Sequence, residues 1–399
     1  MALGYRFDRL EFAGSLGDLG TLLPIAMGMI LVNGLDACGL FFSIGLFYMA
    51  SGFYFGVTVP VQPMKVIGAY SIAMGLTASQ VAASGLLIAI FLLLIGATGM
   101  ITLLGRFIPL SVIRGVQLST GALLMAQGVR FIVGASPFQA LKNAAEPFLV
   151  VQSLGPIPIG IVIGVMGGFL TLFLLENRRL PAGLVVVLAG LLLGVFLGTR
   201  AGFENLDIGL HFPEWLPFGV PEKADFTFAL LILVVPQIPM TVGNAVMAYA
   251  DLSTKYFGRE SKRVTYRAAC ISMALGNFLS YVVGGMPLCH GAGGLAAHYR
   301  FGARTAGSNL MIGAVFLLLT ILLGVHALSL VYLIPMSVLG ILLLFAGAQL
   351  ALTILDMKAR KDLFVCLVML GITLASNLAI GFMAGIAVAY LLKWDRLNV

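Results

Sequence analysis

Long apolar runs that carry no charge, such as 85–104 and 311–323, leave this chain few folds to adopt. A helix that crosses a bilayer needs about 20 such residues, whereas a membrane β-barrel would show alternating segments of about ten. The 399 residues are 60% hydrophobic and only 10% charged, against about 25% charged in a soluble domain. No soluble core could hide this much apolar surface. The expected class is an all-α polytopic membrane protein.

Fourteen spans are read at 12–31, 36–55, 60–77, 82–104, 109–127, 156–175, 181–198, 226–249, 265–282, 287–299, 306–325, 334–353, 362–376 and 378–393. The third and tenth are short. With the N-terminus in the cytoplasm, the inside segments hold Arg6, Arg9, Arg106, Arg178, Arg179, Lys255, Arg259, Lys262, Arg263, Arg300, Arg304, Lys358, Arg360, Lys361, Lys393 and Arg396. The outside segments hold Arg130, Lys142, Arg200 and Lys223. Lysine and arginine accumulate on cytoplasmic loops, so both termini are expected there. The same rule accounts for the net charge of +7 without nucleic acid. The first apolar segment lacks a cleavage site and reads as a retained span; the expected location is a plasma (inner) membrane. About six residues follow the last span, too few for a soluble regulatory domain.

A repeat divides the chain. IPLSV at 108–112 recurs as IPMSV at 334–338, and the same gapless register sets Gly121 on Gly347. Pro24 with Gly28 resembles Pro239 with Gly243, and Pro63 corresponds to Pro287. Seven spans per copy is odd, so the second copy must enter the membrane from the opposite side. The expected organisation is a 7+7 inverted repeat: residues 1–198, an extracytoplasmic linker at 199–225 carrying Glu204, Asp207, His211, Glu214, Trp215 and Glu222, and residues 226–399.

Two Pro/Gly-rich stretches interrupt the apolar field, TVPVQPMK at 58–65 and GGMPLCHG at 284–291. Broken helices are tolerated at membrane depth only where they face protein or a water-filled cavity. Paired breaks in the two halves point to a transporter's substrate site. The helices beyond them are expected to start near Gln62 and Met286, with their N-termini pointing at each other. Free amides and about half a positive charge at each end suit an anion. The plainer alternative is that Pro63 and Pro287 only kink helices for packing.

Several side chains could serve such a site. Lys65 either strengthens it, pairs with Asp18, or snorkels to the surface. Gln62 donates to an oxyanion or caps its own helix. Asp18, in GSLGDLGT at 14–21 with Ser15, is a proton carrier, an ion-pair partner or an organiser of backbone groups. Gln237, Thr241 and Asn244 share one helix face by their i, i+4, i+7 spacing and offer donors, or bonds between helices. His290 is a donor or a pH-sensitive coupling group. Arg114, with Gln117, is either functional or paired to a carboxylate that the sequence does not reveal. The substrate-binding set is therefore Gln62, Pro63, Met64, Lys65, Gln237, Thr241, Asn244, Gly285, Met286, Pro287, Cys289 and His290. Asp18, Ser15, Arg114 and Gln117 are assigned to coupling or gating. The four cysteines, Cys38, Cys270, Cys289 and Cys366, show no CxxC spacing and read as reduced. No metal or cofactor is expected. No nucleotide motif and no catalytic cluster is present, which argues against a pump and against an enzyme.

GSLGDLGTLLP at 14–24, PVQPMK at 60–65, RGVQ at 114–117, PQIP at 236–239 with Gly243 and Asn244, and GGMPLCHGAGG at 284–294 with YRFGART at 299–305 resemble the molybdate transporter type 1 family, a relative of the sulfate permeases. The similarity runs over nearly the whole chain. It implies uptake of molybdate, a tetrahedral dianion close in shape to sulfate, and the fourteen-span fold of sulfate and uracil permeases. Sulfate permeases commonly add a cytoplasmic C-terminal domain that this sequence lacks, so dimerisation through it does not carry over and a homodimer stays open. The expected function is secondary active uptake of an oxyanion, molybdate first, coupled to protons through Asp18 or His290. The alternatives are a sulfate transporter, a nucleobase permease or an anion channel of the same fold.

Overall fold

The structure is a computed structural model that describes residues 5–177, 180–198 and 208–394, without the side chain of Arg106. Arg106, Arg178, Arg179, Arg200, Glu204, Asp207 and Arg396 of the charge pattern therefore lie outside the described side chains. A helix occurs at each of the fourteen apolar segments: α1 Arg9–Asn33, α2 Ala37–Phe55, α3 Lys65–Met74, α4 Ala78–Thr98, α5 Leu110–Val133, α6 Ile159–Leu174, α7 Ala182–Leu197, α8 Lys223–Ser261, α9 Tyr266–Val283, α10 Ala292–Phe301, α11 Gly307–Leu323, α12 Met336–Ala351, α13 Arg360–Ala375 and α14 Leu378–Leu391. Among the described residues, α1, α2, α4 and α8, and the longer helical stretches Leu110–Leu141, Gly307–Tyr332 and Met336–Asp356 that contain α5, α11 and α12, are long and apolar enough to cross a membrane. Outward-facing Phe173 on α6 and Phe196 on α7 are 85% and 80% exposed, as a lipid-facing surface requires.

The two breaks differ from the sequence expectation in one respect. The helices do not start at Gln62 and Met286 but at Lys65 and Ala292. Proline lacks an amide hydrogen and pushes the residue before it out of the helical region, so the chain stays extended around Pro63 and Pro287. Each break opens the same way. α2 ends on Gly56 and α9 on Gly284, both left-handed with φ of 75°, a conformation open to glycine at no steric cost. The extended pieces then pair. β1 (Gln62–Pro63) lies antiparallel to β4 (Leu288–Cys289), with Gln62 opposite Cys289 and Pro63 opposite Leu288. The other two strands, β2 (Ser153–Leu154) and β3 (Ile157–Pro158), form a short hairpin elsewhere.

A two-residue ladder leaves most peptide groups of the breaks unpaired, and buried amides cannot be left so. Carboxamides complete the bonding, since each offers a donor and an acceptor. Asn309 of α11 accepts from the Val59 amide at 2.8 Å and donates to its carbonyl at 2.7 Å. Asn277 of α9 does the same for Leu288, at 3.0 Å and 2.7 Å. The Met64 amide donates to the Pro287 carbonyl at 2.9 Å, directly across the two breaks.

The helices form two packed groups. α2 packs on α11 and α4 on α9, around the breaks; α5 packs on α12 and α13 on α14. The α5–α12 contact is a backbone approach. A Cβ on Gly121 would come 2.5 Å from the Gly347 carbonyl oxygen, and one on Gly347 2.6 Å from that of Gly121. These are the two glycines that the sequence repeat aligns. α8 winds as a π-helix at Ala229–Val234 and Thr241–Ala248, on both sides of Val235–Met240. Pro236 and Pro239 each remove an amide donor there, and wider turns accommodate the loss.

Candidate functional site

A cavity of about 410 Å³ lies between the two groups of helices. Gly17, Asp18, Gly20 and Thr21 of α1 line it together with Gln62, Lys65, Asn244 of α8, and Gly293 and Ala297 of α10. Gln117 of α5, Gln349 of α12 and Thr353 line its other side, and α6 and α7 supply Thr171 and Gly183. Where α1 meets α7 beside the cavity two glycines face each other: a Cβ on Gly20 would come 3.1 Å from Gly183 Cα.

The two half-helix ends are not equivalent. At α3, Gln237 Oε1 accepts from the amides of Val66 at 3.1 Å and Ile67 at 3.3 Å, and its Nε2 donates to Thr241 Oγ1 at 3.0 Å. The α3 terminus is thus already capped by protein. At α10 no side chain caps the first turn. The amides of Ala292, Gly293 and Gly294 have no acceptor among the described residues. Space beside Gly293 is open, since a Cβ there would meet nothing within 4 Å. Helix N-terminal amides that face a polar cavity attract negative charge. Lys65 adds a cation to the same cavity. It forms no ion pair, for the pairs among the described residues are Arg6 with Asp8 and Arg114 with Asp356.

Asp18 sits on a 3₁₀ turn, Leu16–Asp18, that interrupts α1 inside the bundle. Its Oδ1 accepts from Gln62 Nε2 at 2.8 Å. Its Oδ2 and Gln62 Oε1 are buried with no partner within hydrogen-bond distance among the described residues, and Thr21 is the hydroxyl beside the carboxylate. Two neighbouring acceptors without donors form a place for a proton or another donor. Gly294 belongs here by size: a Cβ on it would come within 2.7 Å of Asp18 Oδ2.

Of the residues that the sequence singles out, Gln62, Lys65, Asn244, Asp18 and Gln117 line the cavity. Pro63, Met64, Met286, Pro287 and Cys289 are buried in the paired breaks behind it, with Gly285 against Ser43. Gln237 and Thr241 also lie behind it, in the cap of α3. His290 points elsewhere. Its Nδ1 bonds the Pro60 carbonyl at 2.9 Å and its Nε2 meets Ser272 Oγ at 3.0 Å, while Phe47, Phe55 and Tyr249 surround the ring. Ser15 donates to the Phe12 carbonyl inside α1. The carboxylate paired with Arg114 is Asp356, which accepts from its Nε at 2.9 and 3.0 Å. Thr21, Gly293, Gln349 and Thr353 were not foreseen. Thr21 lies in the motif around Asp18, and Gln349 and Thr353 share an i, i+4 spacing on an apolar helix.

A family model described as a molybdate transporter of the MFS superfamily matches residues 10–124 and 229–350. Molybdate transporter 2 of Arabidopsis thaliana is 34% identical over 97% of this chain and 88% of its own length. Molybdate transporter 1 of the same plant is 32% identical over 99% and 90%. Among solved structures, the transmembrane domain of the cyanobacterial bicarbonate transporter BicA aligns with a TM-score of 0.66 at 18% identity, over 97% of this chain and 98% of that one. Murine Slc26a9, an anion transporter solved in an inward-facing state, aligns with a TM-score of 0.68 at 16% identity, over 99% and 70%. The fold is theirs.

Proposed function

Because this chain belongs to the molybdate transporter family, we propose that it is a secondary active transporter that takes up molybdate. It is an integral membrane protein of a family of transporters, not enzymes. The observation that carries the substrate reading is the pairing of an uncapped α10 terminus with the unpaired cation of Lys65 in one cavity. Asn244 and Gln62 add amide groups to the same wall. A tetrahedral dianion matches this set of donors. Sulfate and tungstate share its charge and shape, so selectivity among them depends on size.

The proposed architecture is fourteen spans in two inverted halves, 1–198 and 226–399, joined by an extracytoplasmic linker, with both termini in the cytoplasm of a plasma membrane. The reciprocal contact of Gly121 with Gly347 supports the two-fold relation. In the proposed cycle α1–α4 and α8–α11 move as one unit against the remaining helices, so that the cavity opens alternately to the two sides. A proton on Asp18 would satisfy its unpartnered oxygen, and its binding and release would couple uptake to the pH gradient. His290, enclosed by aromatic rings away from the cavity, is the poorer candidate for that role.

One match favours a second cargo: the uric acid permease PucK of Bacillus subtilis is 26% identical over 70% of this chain. The free cation of Lys65 argues for an anion instead. Uptake into proteoliposomes tests both. The expected result is molybdate accumulation driven by an inward proton gradient, collapsed by an uncoupler, competed by tungstate and sulfate and indifferent to uracil. Passive equilibration alone would make the protein a channel, and competition by uracil or urate would make it a nucleobase carrier.

A further inference from the structure

The α5–α12 wall faces the proposed anion site from the opposite side, and no residue of it has yet been given a contact with the anion. Its two ends differ. At one end Gly128 approaches Gly340, where a Cβ on Gly128 would come 2.5 Å from the Gly340 carbonyl oxygen. The repeat register sets Arg114 on Gly340, so the opposite end carries a large side chain where its counterpart has none. Arg114, Gln117, Thr353 and Asp356 bond to one another there, and Gln117 and Thr353 line the cavity.

The bonding there fixes the Gln117 amide. Arg114 has only donors, and its Nη1 donates to Gln117 Oε1 at 2.8 Å. Thr353 Oγ1 lies 2.9 Å from the same oxygen and 2.7 Å from the Leu350 carbonyl, so its proton serves either. Arg114 is itself anchored by Asp356, which accepts from both its Nε and its Nη2. That pairing leaves little net charge at the wall. With Oε1 turned to Arg114, the amide can present only Nε2 to the cavity, and Nε2 has no acceptor among the described residues.

We infer that Gln117 donates a hydrogen bond from Nε2 to the transported oxyanion, and that Arg114 is its positioning residue. A tetrahedral ion held by Lys65 and the α10 amides on one wall still presents oxygens to the other. The bound anion would then bridge the two helical groups, so its affinity depends on how they stand relative to each other. The inference rests on the reading of the cavity as an oxyanion site and adds its second wall.

Binding of micromolar molybdate to the purified chain in lipid nanodiscs, referred to wild type at each pH, tests this. Gln117→Glu puts an acceptor where the donor was. It should weaken binding at least about tenfold at pH 7.5, the worth of a hydrogen bond to a charged group, and the loss should persist at pH 5.5, because a carboxylate held by the Arg114 guanidinium stays ionised there. Gln117→Leu serves if that variant fails to fold, since Leu343 occupies the repeat-related position on α12. It should lose affinity at every pH. Arg114→Met should weaken binding in the wild-type background and change nothing further in Gln117→Leu; a structural role would instead add. Wild-type affinity in both Gln117 variants overturns the inference and leaves the oxyanion site standing. No molybdate binding by wild type overturns the site itself.

Discussion

The tips of α3 and α10 are related by sequence repeat, meet across the same two-stranded ladder, and yet end differently. Gln237 closes the first, while the second is open toward the cavity. The lesson concerns symmetry. Two converging helix termini would make an anion site with equal halves, but the α3 dipole is already satisfied by a neutral carboxamide. What remains in the proposed site is one-sided: the α10 amides would supply dipole and Lys65 charge. Gln237 holds α3, and thereby Lys65, in place.

Filling the open tip should have the largest effect. A Cβ on Gly293, which lines the cavity, would meet nothing within 4 Å, so Gly293→Val should fill the site and abolish molybdate binding in a titration while the protein stays monodisperse. Retained binding would mean that the α10 tip is not the site. Removing the cation comes next. Lys65→Ala should cost about 1.5–3 kcal/mol, roughly ten- to hundredfold in affinity, and flatten the salt dependence of binding. Asp18→Asn should leave binding within about threefold but remove the response of uptake to an imposed pH gradient, followed in proteoliposomes. An unchanged gradient response would relieve Asp18 of coupling. The smallest effect on binding belongs to the closed tip. Gln237→Ala should lower unfolding stability by about 1–2 kcal/mol, as loss of a helix cap does, and change affinity less than threefold. A loss as large as that of Lys65→Ala would put Gln237 in contact with the anion and make the two tips alike.

The sequence announces the breaks because proline and glycine leave few local options. It also announces Lys65, Asp18 and Gln62, because polar side chains are rare in such surroundings. It does not tell which way a polar side chain turns. Gln237 and Asn244 lie on one predicted face, but π-helical winding between them and the demand of the α3 amides divide their tasks. Asn277 and Asn309 are the carboxamides of α9 and α11, and neither shows in sequence that it serves a peptide group of a break. Asp356 is 242 residues from Arg114, so only the α5–α12 crossing brings them together. His290 lies inside the most recognisable motif, yet bonds to Pro60 and Ser272 stabilise the bend rather than the cavity. The helices themselves were legible apart from their starts beyond Pro63 and Pro287, the break at Gly99 inside the span read at 82–104, and the continuation of α8 to Ser261 past the end read at 249.

The point where Gly20 faces Gly183 has a mechanical meaning. Interdigitated side chains define a register, and shifting them requires each to climb over its neighbour. Two bare backbones have no such teeth. In the proposed cycle this point of the seam offers a smooth track along which one helix can pass the other in small steps, with no rotamer to unlock between the two glycines. A single methyl group on either glycine would act as a stop on that track.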